Sequence, residues 1–553
     1  MSSEHELDRL RRNRSELENH HIDEFLAGRL NRREFLRRGS AIGMSAPVLA
    51  GILSACGSSS KPTTAHRKRG GTVRVAAQAP AGAVNPLTVS DSGGLAMLQQ
   101  TGEFLIFDNN LKLMLEPMLA TSWNPNHDAS VWTFKLRSGV TFNNGAPMTA
   151  DDVVYTFQQL SNPKNASNAL STFQGVLSPA GVRKVDASTI AFHLESANGS
   201  FPYLVSSDNY NAIIVPKGTD FTKWQKTFVG TGPFKLESFT QNVGASFARN
   251  SHYWGPKSLL DRVQFKFYAG QQPQIVALQG GDVDVITQFV PAGASSLLNN
   301  SSFKIISLKA ANHRELSMRT DVAPFKDARV RQAVAYTLNR PQMVSALLSG
   351  HGGVANDYPF FPRYPSTNTS VPQRAQDIAK AKSLLSAAGH PNGIRAPLFT
   401  ENFEEVPQLA QVIKADAAKA GITIDLHIEP QSQYYGKSTF GNSDWLDGSM
   451  SLVDYGDRGV PNVFLEAPLS STGPWNAARF HDPSYDRLVK QFVAAVDIQT
   501  QRKIAGQIET LLLAQTPIVI PYWFDGLTAT TSSVGGVNPT STSQIFLGQA
   551  FKS

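Results

Sequence analysis

The chain has 553 residues, with 51 Lys and Arg against 44 Asp and Glu, 41% hydrophobic and 17% charged side chains, and one cysteine. That length exceeds what one hydrophobic core sustains, so two lobes or more are expected, and the lone Cys56 excludes both an internal disulfide and a cysteine-rich metal site. Residues 1–55 hold 9 basic and 8 acidic side chains and residues 56–69 hold 4 basic and none acidic, leaving 38 against 36 for the rest; a body so nearly neutral gives no support for a phosphate-binding surface, and nucleic acid is not an expected partner.

The N-terminal 55 residues read as an export signal. Arg32 and Arg33 open the run Asn31-Arg32-Arg33-Glu34-Phe35-Leu36, an uncharged apolar stretch follows over 41–53, and small residues end it at Leu53-Ser54-Ala55-Cys56-Gly57. The apolar stretch contains Gly43, Pro47 and Gly51 and is shorter than the ~20 residues a bilayer-spanning helix needs, so a permanent transmembrane helix is not expected. The paired arginines before Phe-Leu resemble the twin-arginine signal of proteins exported already folded. Leu-Ser-Ala-Cys resembles the bacterial lipobox, which implies cleavage before Cys56 and a diacylglycerol on its thiol. Residues 56–69, rich in Ser, Thr and basic side chains, then form a flexible tether.

Folding is expected to begin at Gly70, where alternation over 70–77 predicts a strand. A second strand is predicted over 130–137, with Trp132, Phe134 and Leu136 on one face and a turn at Asn143-Asn144-Gly145 after it. Thr149-Ala150-Asp151-Asp152 ahead of Val153, Val154 and Phe157 predicts an N-capped helix with acids in its first turn. Helical spacing recurs over 327–339, over 377–388 before Gly389 and over 409–420 before Gly421, and strand-like sequence follows at 422–427. Helices mixed with strands predict a layered α/β lobe.

The order of these segments resembles the extracytoplasmic solute-binding proteins of the peptide and nickel importer family, solute-binding family 5. The resemblance covers most of residues 70–530. It is carried by Pro117-Met118-Leu119-Ala120-Thr121-Ser122-Trp123, Trp132-Thr133-Phe134-Lys135-Leu136-Arg137, Phe142-Asn143-Asn144-Gly145 and Thr149-Ala150-Asp151-Asp152-Val153, and then by Gly230-Thr231-Gly232-Pro233-Phe234, Leu278-Gln279-Gly280-Gly281-Asp282-Val283-Asp284-Val285, residues 324–333 and residues 381–389. It implies an α/β fold of two lobes closing like a hinged clamp, the type II periplasmic-binding form in its large three-subdomain version, with a two-strand hinge. The outward crossing is expected near 263–267 and the return near 518–522, giving a first lobe of 70–270 plus 518–553 and a second of 271–517. Arg331 reads as a lobe-stabilising cation. The family further implies a lipid-anchored monomer at the outer face of the bacterial cytoplasmic membrane, with a small-molecule or peptide ligand, no cofactor, and the permease and ATPase of an ABC importer as partners.

Peptide-binding relatives pair the ligand amine with an aspartate opening an Asp-x-x-Asp-Pro segment, and the matching segment here is Asp454-Tyr455-Gly456-Asp457-Arg458. The resemblance therefore assigns the amine to Asp454, with Tyr455 and Trp445 as aromatic candidates for the cleft wall. Two departures bear on that assignment: Ser451 stands where relatives commonly have Trp, and Arg458 replaces the proline, where it could neutralise Asp454 or meet an anionic group.

Other functions find less support. Ser-x-x-Lys occurs at Ser58, Ser161 and Ser301 and Ser-Asp-Asn at Ser207, as in penicillin-recognising enzymes, but Ser58 lies in the tether, Ser301 follows Ser207, Pro163 interrupts the turn after Ser161, and Lys-Thr-Gly is missing. No Gly-x-Ser-x-Gly, His-Glu-x-x-His or phosphate-binding loop occurs, and an exported hydrolase is not expected. A nickel complex or an oligosaccharide in the same fold is the alternative ligand. The only adjacent histidines, His20-His21, fall within the signal.

Overall fold

The computed structural model describes residues 7, 10–11, 14–26, 30, 32–55, 69–110 and 114–553. Its frame is a twelve-stranded mixed sheet. In chain order the strands of the molecule are β1 (Thr72–Gln78), β2 (Ile106–Asn109), β3 (Met114–Pro117), β4 (Ala120–Pro125), β5 (Val131–Leu136), β6 (Val182–Asp186), β7 (Thr189–His193), β8 (Phe234–Thr240), β9 (Gly244–Arg249), β10 (Arg262–Tyr268), β11 (Val285–Phe289), β12 (Phe303–Met318), β13 (Gly352–Val354), β14 (Ile394–Glu401), β15 (Ile422–Glu429), β16 (Met450–Tyr455), β17 (Ile518–Val519) and β18 (Tyr522–Thr531), followed by short pairings near the C-terminus. The large sheet runs β15-β14-β16-β12-β18-β11-β1-β10-β9-β8, with β13 on β18 and β17 on β12, while β4-β5-β7-β6 form a separate sheet.

Two cores flank the large sheet. The first gathers residues from Val73 to Val285 and again from Val534 to Ala550. At its centre the apolar face of β5 places Trp132, Phe134 and Leu136 inside, as period-2 alternation requires. Phe192 stands edge-on to Phe134 at 5.2 Å and to Phe157 at 5.0 Å, a geometry worth about 0.5–1.5 kcal/mol per pair beyond area burial. Phe157 arrives on the helix Ala150–Leu160, which starts where expected because Thr149 and Asp152 form a capping box. The other end of the sheet, with β14, β15 and β16, is packed by residues 311–523 in two clusters, one under the helices Ala328–Thr337 and Val406–Ala418 and one around Tyr485, Phe492 and Ile508. Here Asp327 caps Ala328–Thr337, and Gly421 takes φ 86° to turn the chain from helix into β15, while a Cβ on Gly393 would lie 1.9 Å from the Gly421 carbonyl oxygen. Arg331 donates to the carbonyls of Phe325, Lys326, Gln515 and Thr516, tying helix to helix as a buried structural cation.

The expected crossing points need correction. β10, over 262–268, lies between β1 and β9 and pairs nothing of the second lobe. The helix Gln271–Gln279 and β11 also stay with the first half, packing with Ala76, Leu527 and Ala529, whereas Ile518, Val519, Ile520 and Tyr522 belong to the second. The chain crosses on β12 and β18 instead. Residues 303–308 of β12 pair β18 and residues 313–318 pair β16, with the register broken between Leu308 and Asn312. The resemblance put a crossing strand at 263–267; a strand stands there, but the side chains of a strand carry no information about which strands are its neighbours.

Cys56 lies outside the described residues. Arg32 and Arg33 are exposed at the start of the helix Arg32–Ala41, and among the described residues no helix is long and apolar enough to cross a membrane.

Candidate functional site

In sheets of this kind the carboxyl ends of parallel strands collect functional groups. β14 is parallel to β15 and to β16, and at their carboxyl ends stand Glu401, Glu429 and Asp454. Asp454 is not free: it is paired with the fully buried guanidinium of Arg314, its register partner on β12. The same guanidinium donates to Glu405 at 2.9 Å through Nε and to Glu404 at 2.8 Å through Nη2, and it lies 4.4 Å over the Phe524 ring. Glu404 adopts φ 46°, which turns two successive carboxylates onto one cation. Burial raises the Glu405 carboxyl, but Arg314 more than offsets this and leaves it below the usual range; Glu404, raised by burial and by neighbouring glutamates, stays above it despite Arg314. The sequence gives no sign of Arg314's role, because its partners lie 90 to 140 residues away.

Tyr455 and Trp445 are packed inside. Tyr455 is 7% and Trp445 6% exposed, in an aromatic cluster with Tyr434, Phe464 and Trp475 beside the second-lobe sheet. Arg458 does not reach Asp454 in this arrangement; its guanidinium donates to the Asp457 carbonyl at 2.7 Å.

The residues that do face each other from the two lobes are Asp108 in β2, Tyr203 in the helix Phe201–Leu204 and Asp208 beyond it on one side, and Tyr364 with Asp457-Arg458-Gly459 on the other. Gly459 N–H donates to Asp208 Oδ1 at 2.8 Å across the junction. Glycine is required there, since a Cβ would lie 2.7 Å from Asp108 Oδ2 and 2.7 Å from the Tyr203 ring. Tyr364 donates to the Arg458 carbonyl at 2.6 Å. Asp457 accepts from Ala311 N–H at 2.6 Å and from the Ser541 hydroxyl. Burial pushes Asp208 up to about 7, with Asp457 adding to it and Arg458 and the Gly459 N–H opposing; burial and the two neighbouring aspartates hold Asp108 well above the ordinary range. Cavities of about 20 and 30 Å³ flank Arg458 here. Asp108, Asp208 and Asp457 each look like an ordinary turn or strand-end aspartate in sequence, and only the fold assembles them.

Two cores joined by long shared strands, with polar side chains meeting between them, define a two-lobed hinged clamp. The model of the bacterial extracellular solute-binding proteins, family 5, middle region, matches residues 114–475, and the chain belongs to that family. It is 27% identical over 506 residues to heme-binding protein A of Haemophilus influenzae, covering 84% of this chain and 90% of that one. It is likewise 27% identical over 447 residues to the periplasmic murein peptide-binding protein MppA of Escherichia coli, covering 76% and 81%. Among solved structures, HbpA2 from Haemophilus parasuis matches with a TM-score of 0.76 at 22% identity, over 87% of this chain and 100% of that one, a likeness of fold.

Proposed function

We propose that the protein is the solute-capturing lipoprotein of an ABC import system: it closes on a short peptide between its lobes and presents the closed form to a membrane permease. The observation that carries this reading is the junction itself, where Asp208 of one lobe and Gly459 of the other are hydrogen-bonded beside water-sized cavities. Ligand contacts to both lobes are what stabilise a closed state. The relative named as a murein peptide-binding protein supports a peptide as the class of solute, and the binding, non-catalytic role follows the same relatives. The signal over 1–55, with Arg32 and Arg33 and the lipobox at Cys56, supports export and anchoring at the outer face of the cytoplasmic membrane.

The reading is tested by the melting temperature of the protein against dipeptides, oligopeptides, oligosaccharides, and nickel with an EDTA control. A peptide at about 100 times its dissociation constant should add roughly 2.7 kcal/mol and raise the melting temperature. A rise with sugar or nickel alone would refute the peptide. Cys56→Ser should move the protein from the membrane fraction to the soluble fraction, because two or more acyl chains hold a protein where none does; a membrane fraction unchanged in the variant would refute the anchor.

A further inference from the structure

The N-terminal segment folds around a small core of its own. Ile22, Phe35, Met44, Leu49 and Ile52 close it, with the Phe25 ring 4.5 Å from that of Phe35 and His21 bonded through Nε2 to the Phe35 carbonyl at 2.9 Å. Among the described residues no apolar side chain of the body belongs to that core. What joins the two is polar. On the helix Glu16–Leu26, Glu16, Asn19, His20 and Asp23 recur at i, i+3, i+4 and i+7, which places them on one face, and that face looks onto Lys309, Arg363, Trp523 and Asp525 across a cavity of about 240 Å³. Arg363 Nη1 donates to His20 Nδ1 at 2.5 Å, and its Nε lies 3.8 Å from Glu16. Burial disfavours the Arg363 charge; of the acids that oppose this, Glu16, Asp23 and Glu24 belong to the segment and Asp525 to the body.

The body's half of this contact is the place where the lobes are joined. Lys309 falls in the register break of β12 between Leu308 and Asn312, and Trp523 and Asp525 lie on β18, the other crossing strand. Arg363 also lines the cavity between Asp108 of the first lobe and Asp457 of the second. A clamp moves through dihedral changes in such crossing segments, so a folded unit seated on them resists the motion. The seat is loosely packed, with a further cavity of about 570 Å³ opening between Ile42 and Gly43 on one side and Asn368 and Arg502 on the other. Permanent interfaces pack like protein interiors. A few polar contacts across such gaps hold because segment and body are one chain, so that local concentration substitutes for affinity.

We propose that the N-terminal segment is an intramolecular brace: docked through Glu16 and His20 on Arg363, it holds the crossing strands in one arrangement and restrains the clamp in any chain that still carries it. Removal of the segment then frees the hinge, which ties clamp motion to maturation; that consequence rests on the export-signal reading. Arg32 and Arg33 stay exposed in the docked arrangement, so bracing leaves the paired arginines accessible.

The test uses the full chain, produced without export, carrying Cys56→Ser and spin labels at Val243→Cys and Ile428→Cys, exposed positions near opposite edges of the large sheet. Double electron–electron resonance should give one narrow distribution of distances. Glu16→Lys with His20→Ala sets a third cation against Arg363 and Lys309; it should shift or broaden the distribution and speed amide exchange over 360–370 at least about tenfold. Adding Arg363→Glu should restore both, since the new lysine then meets a carboxylate, a rescue that simple misfolding would not allow. A distribution unchanged in the charge-reversed chain, with exchange over 360–370 accelerated, overturns the brace, because the segment would then leave without releasing the hinge. Unchanged exchange over 360–370 overturns the docking contact itself. An exported protein whose mass still includes residues 1–55, with the distances of the full chain as expected, overturns the export-signal reading and leaves the brace standing.

Discussion

Arg314→Met should lower the stability of the second lobe by about 3–5 kcal/mol at neutral pH, the cost of removing one partner from a buried ion network. The deficit should shrink as the pH falls towards 4. The reason is the charge count around a side chain of 0% exposure: Glu405, Glu404 and Asp454 all converge on the one guanidinium. In the unsubstituted protein Glu405 sits below its ordinary range, so it contributes stability above the unfolded pKa that is lost as pH falls. Without Arg314, burial and mutual repulsion both raise the carboxyl pKa values, opposed at Glu405 only by the Tyr522 hydroxyl and a backbone hydrogen bond. The variant's folded state would then bind more protons than its unfolded state, and its stability would fall as pH rises through the carboxylate range and beyond. Calorimetric melting of both proteins at pH 4 and pH 7 checks this; a deficit of equal size at both would mean that Arg314 contributes packing rather than charge.

Asp357→Ala should cost a similar amount at neutral pH, again about 3–5 kcal/mol. Asp357 is fully buried and is the carboxylate shared by Arg340 and Arg374, themselves 1% and 6% exposed at the side chain. Arg340 and Arg374 also donate to the carbonyls of Arg374 and Leu513, which satisfies donors but leaves two positive charges uncompensated. A guanidinium does not discharge in the accessible pH range, so neither acid nor mild base removes the repulsion. The two variants therefore make a matched pair, read in one set of melting curves: the charges left uncompensated titrate in the first and do not in the second. Replacing Arg340, Asp357 and Arg374 together by apolar residues of similar volume should recover most of the loss, as removal of a whole buried ion group often does.

The local elements were legible in the sequence because their signals are local. The capping box of Thr149 and Asp152, the Asp327 and Asp377 caps, the glycine after Val406–Ala418 and the one-sided aromatics of β5 all act within a few residues. The crossing strands were not legible. β12 owes its length to two different partners taken in turn, β18 and β16, and its own side chains record neither. The candidate site divides in the same way. Asp454 was identified from its segment, yet its pairing with Arg314 spans 140 residues, and Asp108, Asp208 and Asp457 are brought together from three distant turns and strand ends. Trp445 and Tyr455 read more readily as core than as cleft wall, and side-chain burial places them in an aromatic cluster.

The order in which the sheet is assembled has a consequence for synthesis. β18 is the strand between β11 and β12, yet at residues 522–531 it comes last in chain order among the twelve strands of the sheet, so the middle of the sheet leaves the ribosome after all the rest of it. Until then the first half can form around β1, β10 and β11, and the second around β14, β15 and β16, domain by domain as large chains do. The two halves would face each other with the edges of β11 and β12 unpaired, and such edges template association with other chains. A product terminated before residue 522 would keep both edges open permanently, whereas a chain that includes β18 fills the gap itself.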